Sequence, residues 1–101
     1  KIKAFFSMYN GGNPLFVKKF FKIKKKYKCT FIEDACHALG GYYSIKNKSR
    51  VGDNKFSDIS VFSFHPVKSI TTGEGGMVTT SNKLLYQKMI SIKNHGIQRK
   101  N

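Results

Sequence analysis

The sequence predicts an α/β fold, a mostly parallel sheet flanked by helices. Three observations carry that expectation. Short apolar runs at residues 2–8, 29–32, 59–64 and 77–80 have the length and composition of strands. A helical stretch separates the first two, and strand, helix and strand within about 35 residues is the span of a βαβ unit with its right-handed crossover. A second helical pattern follows residue 80.

Ile2 to Met8 is the first strand, with Phe5 and Phe6 in a continuous apolar run of the kind buried in parallel sheets. Tyr9-Asn10-Gly11-Gly12-Asn13 breaks it. Asn13 is the expected N-cap, and Pro14 suits the first helical position. Phe16, Phe20, Ile23 and Tyr27 then recur at i, i+4, i+7 and i+11, which puts an aromatic face inward and lysines outward. Cys29 to Ile32 reads as the second strand, closed by Glu33-Asp34. Ala35 to Asn54 reads as loop, with a short strand at Tyr42 to Ile45 and a polar turn at Lys46 to Arg50, a small hairpin over the sheet edge. Ile59 to Phe64 is the central buried strand. The glycine-containing run Thr71 to Gly76 leads to a strand at Met77 to Thr80. Ser81 or Asn82 caps a last helix whose Leu85, Met89 and Ile92 share one face, and Gly96 ends it.

At 101 residues and 40% hydrophobic content the chain supports a modest core. Lys1 is not an initiator methionine, strand pattern begins at once, and the chain stops just past Gly96, so a piece of a larger protein is expected. No apolar stretch suits a signal peptide or a membrane span, which makes a soluble, cytoplasmic product without a membrane partner the expectation. The net charge of +14 raises nucleic acid as a partner. Only Arg50 and Arg99 are arginine, however, and phosphate and base recognition favour the arginine fork. The densest cluster, Lys18 to Lys28, falls on the outer side of the first helix as a solvated face. No nucleic-acid partner is therefore expected. A small basic nucleic-acid-binding module is the competing reading, and its mark is a steep salt dependence. Cys29 and Cys36 match neither a disulfide framework nor a zinc pair, and no metal is expected. Adjacent Cys36 and His37 point in different directions and do not make a catalytic dyad.

Lys68 stands apart from the other lysines. Val67 and Ile70 flank it, and no other formal charge lies between Asp58 and Glu74. A lysine in an apolar setting loses its charge readily and can act as an amine nucleophile. The Gly73 to Gly76 loop lacks the G-x-G-x-x-G spacing, and no Walker glycines precede Lys68-Ser69. Asp34, Ser63 and Lys68 lie at or beyond the carboxyl ends of strands, where ligands collect in open α/β sheets. Each of these residues and His37 has an ordinary structural role open to it: turn cap, core group, strand hydroxyl, surface charge. Together they suit pyridoxal phosphate, which needs a lysine amine, a carboxylate beside the ring nitrogen, a hydroxyl for its phosphate and a polar group near the ring hydroxyl.

The segment Ile32-Glu33-Asp34-Ala35-Cys36-His37-Ala38-Leu39-Gly40, followed by Ser60-Val61-Phe62-Ser63-Phe64-His65-Pro66-Val67-Lys68-Ser69-Ile70-Thr71-Thr72-Gly73-Glu74-Gly75-Gly76, resembles the DegT/DnrJ/EryC1/StrS family of sugar aminotransferases. Those are fold-type-I pyridoxal-phosphate enzymes that aminate keto groups on nucleotide-linked sugars. The resemblance implies that residues 1–101 are a central part of the large cofactor-binding domain, lacking the N-terminal segment and the C-terminal small domain and inactive alone. It further implies a homodimer at full length, a 4-keto nucleotide sugar as substrate and an amino-acid donor, usually glutamate. Carried onto this sequence, Lys68 would be the Schiff-base lysine and proton carrier, and Asp34 the partner of the pyridine nitrogen. His37 would lie near the ring hydroxyl and Ser63 at the phosphate. A dehydratase branch has histidine in place of this lysine, so Lys68 implies transamination. Phe64 to Thr72 is most similar to the branch that makes 4-amino sugars for pseudaminic acid.

Overall fold

The computed structural model describes residues 1–97. In chain order the elements are β1 (Ala4–Met8), a 3-10 turn (Asn10–Gly12), α1 (Val17–Tyr27), β2 (Thr30–Asp34), β3 (Tyr42–Ser44), β4 (Ser49–Arg50), β5 (Ile59–Ser63), β6 (Gly76–Thr79) and α2 (Lys83–Lys93). The main sheet has the order β1-β2-β5-β6, and β3 and β4 form a separate hairpin. β1, β2 and β5 are parallel, whereas β6 runs antiparallel to β5. The return between β5 and β6, residues 64–75, carries no helix of the kind that usually makes a parallel crossover, and β6 comes back antiparallel. That return is closed where the Phe64 amide donates to the Gly75 carbonyl at 2.8 Å and the Thr72 amide to the Phe64 carbonyl at 3.1 Å.

Strand alternation divides the sheet into two faces. Phe5, Ser7, Phe31, Glu33, Ser60 and Phe62 share one, by register and burial. On it Phe5 stacks on Phe31 at a ring separation of 4.7 Å, with Phe20 of α1 tilted against both. Further along, Tyr9, Ala35, Ala38, Val51 and Phe62 form the buried core, joined by Phe20, Leu39, Tyr43 and Phe64. The opposite face carries Phe6, Ile32, Asp34, Val61 and Ser63, and Phe6 is 72% exposed there.

α1 departs from expectation at its start and in its inner face. It begins at Val17 rather than Pro14, and Phe16 occupies the N-cap position without a side-chain cap. Asn13 is extended, as residues before proline tend to be, and the Val17 amide bonds back to the Pro14 carbonyl, so residues 14–16 form a turn leading into the helix. The inward stripe is Val17, Phe20, Phe21 and Lys24, while Phe16, Ile23 and Tyr27 are exposed. A lysine belongs on the inner side because Lys24 Nζ lies 2.7 Å from Asp58 Oδ1. The other Asp58 oxygen accepts the Phe31 amide at 2.9 Å. Lys19 and Lys25 lie over the rings of Phe16 and Phe21, so the cluster is partly engaged with its own helix. Lys28, in the left-handed region at φ 48°, ends the helix with its amide on the Lys24 carbonyl.

β2 extends to Asp34, two residues past the expected Ile32. The β3-β4 hairpin lies over the sheet's buried face rather than its edge, because the Tyr43 hydroxyl reaches Glu33 on interior strand β2. α2 is capped by Asn82, whose side chain accepts the Leu84 and Leu85 amides. None of its residues is fully buried, and Ile92, expected on the packed face, is exposed. Among the described residues no helix is long and apolar enough to cross a membrane.

Asp58→Ala removes both the ion pair to Lys24 and the acceptor of a strand amide. It is expected to lower the unfolding free energy by about 2 kcal/mol, and Asp58→Asn, which keeps an acceptor, by less. Denaturant titration of the product of the complete reading frame measures both, and an unchanged midpoint in Asp58→Ala contradicts the assignment.

Candidate active site

Asp34 ends β2 on the face opposite Glu33. It pairs in register with Val61, and Ser63, two residues further along β5, lies on the same face as Asp34. The end of β2 is held on both sides. The Tyr9 amide donates to the Asp34 carbonyl at 3.1 Å, and the Ala35 amide to the Val61 carbonyl at 2.9 Å. Asp34 Oδ1 accepts the Cys36 amide at 3.1 Å. Oδ2 accepts no hydrogen bond from the described residues, so the carboxylate is oriented through one oxygen and open at the other.

Lys68 follows on a turn beyond β5. Its amide donates to the His65 carbonyl at 2.9 Å, the Val67 amide to His65 Nδ1 at 3.3 Å, and the His65 amide to Ser63 Oγ at 3.4 Å. The side chain is half-buried and makes no ion pair among the described residues. The apolar setting expected from Val67 and Ile70 is not built by them, since they are 78% and 53% exposed. Their side chains lead away from a turn that has no sheet face to pack on.

Cys36 lies two residues past Asp34, with its Sγ 3.9 Å from the Val61 carbonyl oxygen on β5. Burial raises its thiol above the ordinary cysteine value, the hydrogen bond and charge of Asp34 raise it further, and the Lys68 ammonium acts in the opposite direction. The ends of β2 and β5 lie side by side because the strands pair in register, with Asp34 opposite Val61. His37 stands apart: it is exposed, and its imidazole makes no hydrogen bond among the described residues. Its backbone is fixed instead by Gly12, at φ +82°, where an added Cβ would meet the His37 carbonyl oxygen at 2.5 Å.

Glu33 is the functional-looking residue that sequence reading treats merely as the strand's end. It is 0% exposed. Tyr9 and Tyr43 hydroxyls donate to its Oε1 at 2.6 and 2.5 Å, and Ser57 and Ser60 hydroxyls to its Oε2 at 2.8 and 2.5 Å. Burial, and then the Glu33 carboxylate, push both phenols well above the usual tyrosine range, so they remain donors. The signal available in sequence was an acidic residue following the apolar run Phe31-Ile32, with hydroxyl residues ending or entering its neighbours.

The family model for the DegT/DnrJ/EryC1/StrS aminotransferase family matches residues 1–101. The chain belongs to this family. It is 46% identical over 90 residues to a UDP-4-amino-4,6-dideoxy-N-acetyl-beta-L-altrosamine transaminase of Campylobacter jejuni, covering 89% of this chain and 23% of that protein. Among solved structures, Helicobacter pylori PseC, described as an aminotransferase of pseudaminic acid biosynthesis, superposes with a TM-score of 0.87 at 39% identity, over 98% of this chain and 25% of its own. NtdA of Bacillus subtilis, solved with bound PMP cofactor, gives a TM-score of 0.80 at 28% identity, over 94% of this chain and 20% of its own. The chain thus spans about a quarter of the length of the relatives it matches. The α/β fold with its mixed sheet is that of the aminotransferase structures.

Lys68→Met should raise the pKa of the Cys36 thiol further, so that less thiolate forms and alkylation by iodoacetamide at pH 8 slows relative to a denatured control. Peptide mapping over time reads the rate. An unchanged rate would mean that the two side chains do not meet.

Proposed function

We propose that this chain is part of a pyridoxal-phosphate-dependent sugar aminotransferase and carries the residues that hold its cofactor. The observation behind the proposal is that Asp34 and Ser63 share one face at the paired ends of β2 and β5, with Lys68 on the turn that follows β5. The donor set suits the cofactor: Asp34 Oδ2 is open, Lys68 has no ion-pair partner among the described residues, and Ser63 Oγ accepts from His65 while its own proton remains to donate. When bound, pyridoxal phosphate supplies an aldehyde for amines and a ring that withdraws electrons from the carbon beside them.

In this reading Lys68 Nζ is the amine that would hold the cofactor through its aldehyde and, when free, the base that would carry a proton of the donor amino acid. Asp34 Oδ2 would accept a hydrogen bond from the protonated ring nitrogen and favour its charged form. Ser63 Oγ would donate to the phosphate, and the exposed His37 would lie near the ring hydroxyl. The amino group passes, with glutamate as the donor, to a 4-keto nucleotide sugar in the cytoplasm, for amino-sugar and glycan biosynthesis. Likeness to the altrosamine transaminase supports the substrate class. The whole protein acts as a homodimer.

In the product of the complete reading frame, Lys68→Ala should lower the rate of glutamate-dependent amination roughly a thousandfold or more, and Asp34→Asn should lower kcat while preserving the fold. Formation of 2-oxoglutarate with a UDP-linked 4-keto sugar reads both. Turnover retained by Lys68→Ala overturns the assignment.

A further inference from the structure

We propose that Glu33 is a positioning residue, whose buried hydroxyl shell aligns the Asp34 carboxylate with the strand that leads to Lys68. The proposal rests on the assignment of Asp34 to the cofactor's ring nitrogen. Tyr9 grips both acidic residues, its hydroxyl 2.6 Å from Glu33 Oε1 and its amide 3.1 Å from the Asp34 carbonyl. Ser60 belongs to β5 and Ser57 to the segment entering it, so Oε2 fixes β2 against the strand that carries Ser63. Tyr43 adds the β3-β4 hairpin. Asp34 cannot shift along or twist about β2 without moving Glu33, and Glu33 is held from three directions.

The polarity of the shell is also defined. Asn54 Nδ2 donates to Ser60 Oγ at 3.1 Å, to Ser57 Oγ at 3.4 Å and to the Thr79 carbonyl at 3.3 Å. The two serine hydroxyls lie 3.1 Å apart, share the two N–H groups of Asn54 with the Thr79 carbonyl, and both reach Glu33 Oε2, so the chain of donors ends on a group that can only accept. Four hydroxyl protons match the acceptor capacity of a carboxylate. An amide at position 33 has the same shape but presents N–H groups to hydroxyls on at least one side. Serines that turned to receive them would lose the orientation that Asn54 imposes.

Glu33→Gln in the product of the complete reading frame, loaded with pyridoxal phosphate, is the test. Expected is a folded protein with kcat reduced roughly tenfold, KM for the sugar nearly unchanged and weaker cofactor binding, because small misplacements of a catalytic group are costly. The pH midpoint of the bound cofactor's visible absorbance should move in the direction produced by Asp34→Asn, by a smaller amount. Tyr9→Phe, which removes one donor and keeps the amide bond to Asp34, should shift it less again. A folded Glu33→Gln protein with the wild-type midpoint and kcat overturns the proposal. If Glu33→Gln does not fold, wild-type midpoints in both Tyr9→Phe and Ser60→Ala overturn it. A midpoint unmoved by Asp34→Asn itself removes the assignment of Asp34, and the positioning proposal with it.

Discussion

Burying a carboxylate in the middle of a sheet is costly unless its lone pairs are met, and at Glu33 they are met by hydroxyls from four separate segments. The end of β1, the β3-β4 hairpin, the approach to β5 and β5 itself must all be in place for that shell to close. Much of the architecture follows from this. The hairpin is drawn onto the sheet face, Tyr9 is drawn into the core, and β5 is fixed beside β2. Because consecutive strand residues face opposite ways, satisfying Glu33 on one side leaves Asp34 on the other, at a strand end that cannot move.

The second attachment is polar as well. Lys24 and Asp58 hold α1 to the start of β5, while Asp58 also receives a β2 amide, and the stacked Phe5 and Phe31 with Phe20 supply the apolar part of the same contact. Parallel strands order the sheet, and the antiparallel β6 closes its edge through a loop rich in glycine. At Gly76 an added Cβ would meet the Phe62 carbonyl oxygen at 2.8 Å, so the return to the sheet requires glycine.

The strands and both helices were legible in the sequence because their apolar runs and turn residues are local signals. The βαβ order was legible for the same reason. The inner face of α1 was not: the aromatic spacing from Phe16 to Tyr27 competes with Val17, Phe20, Phe21 and Lys24, and the winner depends on Asp58, which is distant in sequence. Glu33 was hidden likewise, since its four partners span residues 9 to 60 and no local pattern joins them. Asp34, Ser63 and Lys68 could be picked out from their place at strand ends and from motif resemblance. That Asp34 and Ser63 share one face needed the register of β2 on β5. Lys68 was expected among apolar neighbours, but Val67 and Ile70 face solvent.

Borohydride reduction of the product of the complete reading frame, purified without added cofactor, followed by digestion and mass spectrometry, tests directly whether a lysine holds pyridoxal phosphate and which one. The expected result is a pyridoxyl adduct confined to Lys68, despite the competing lysines of α1. No adduct, or labels spread over Lys18 to Lys28 with Lys68 unmodified, would contradict the assignment of this strand-end site to the cofactor.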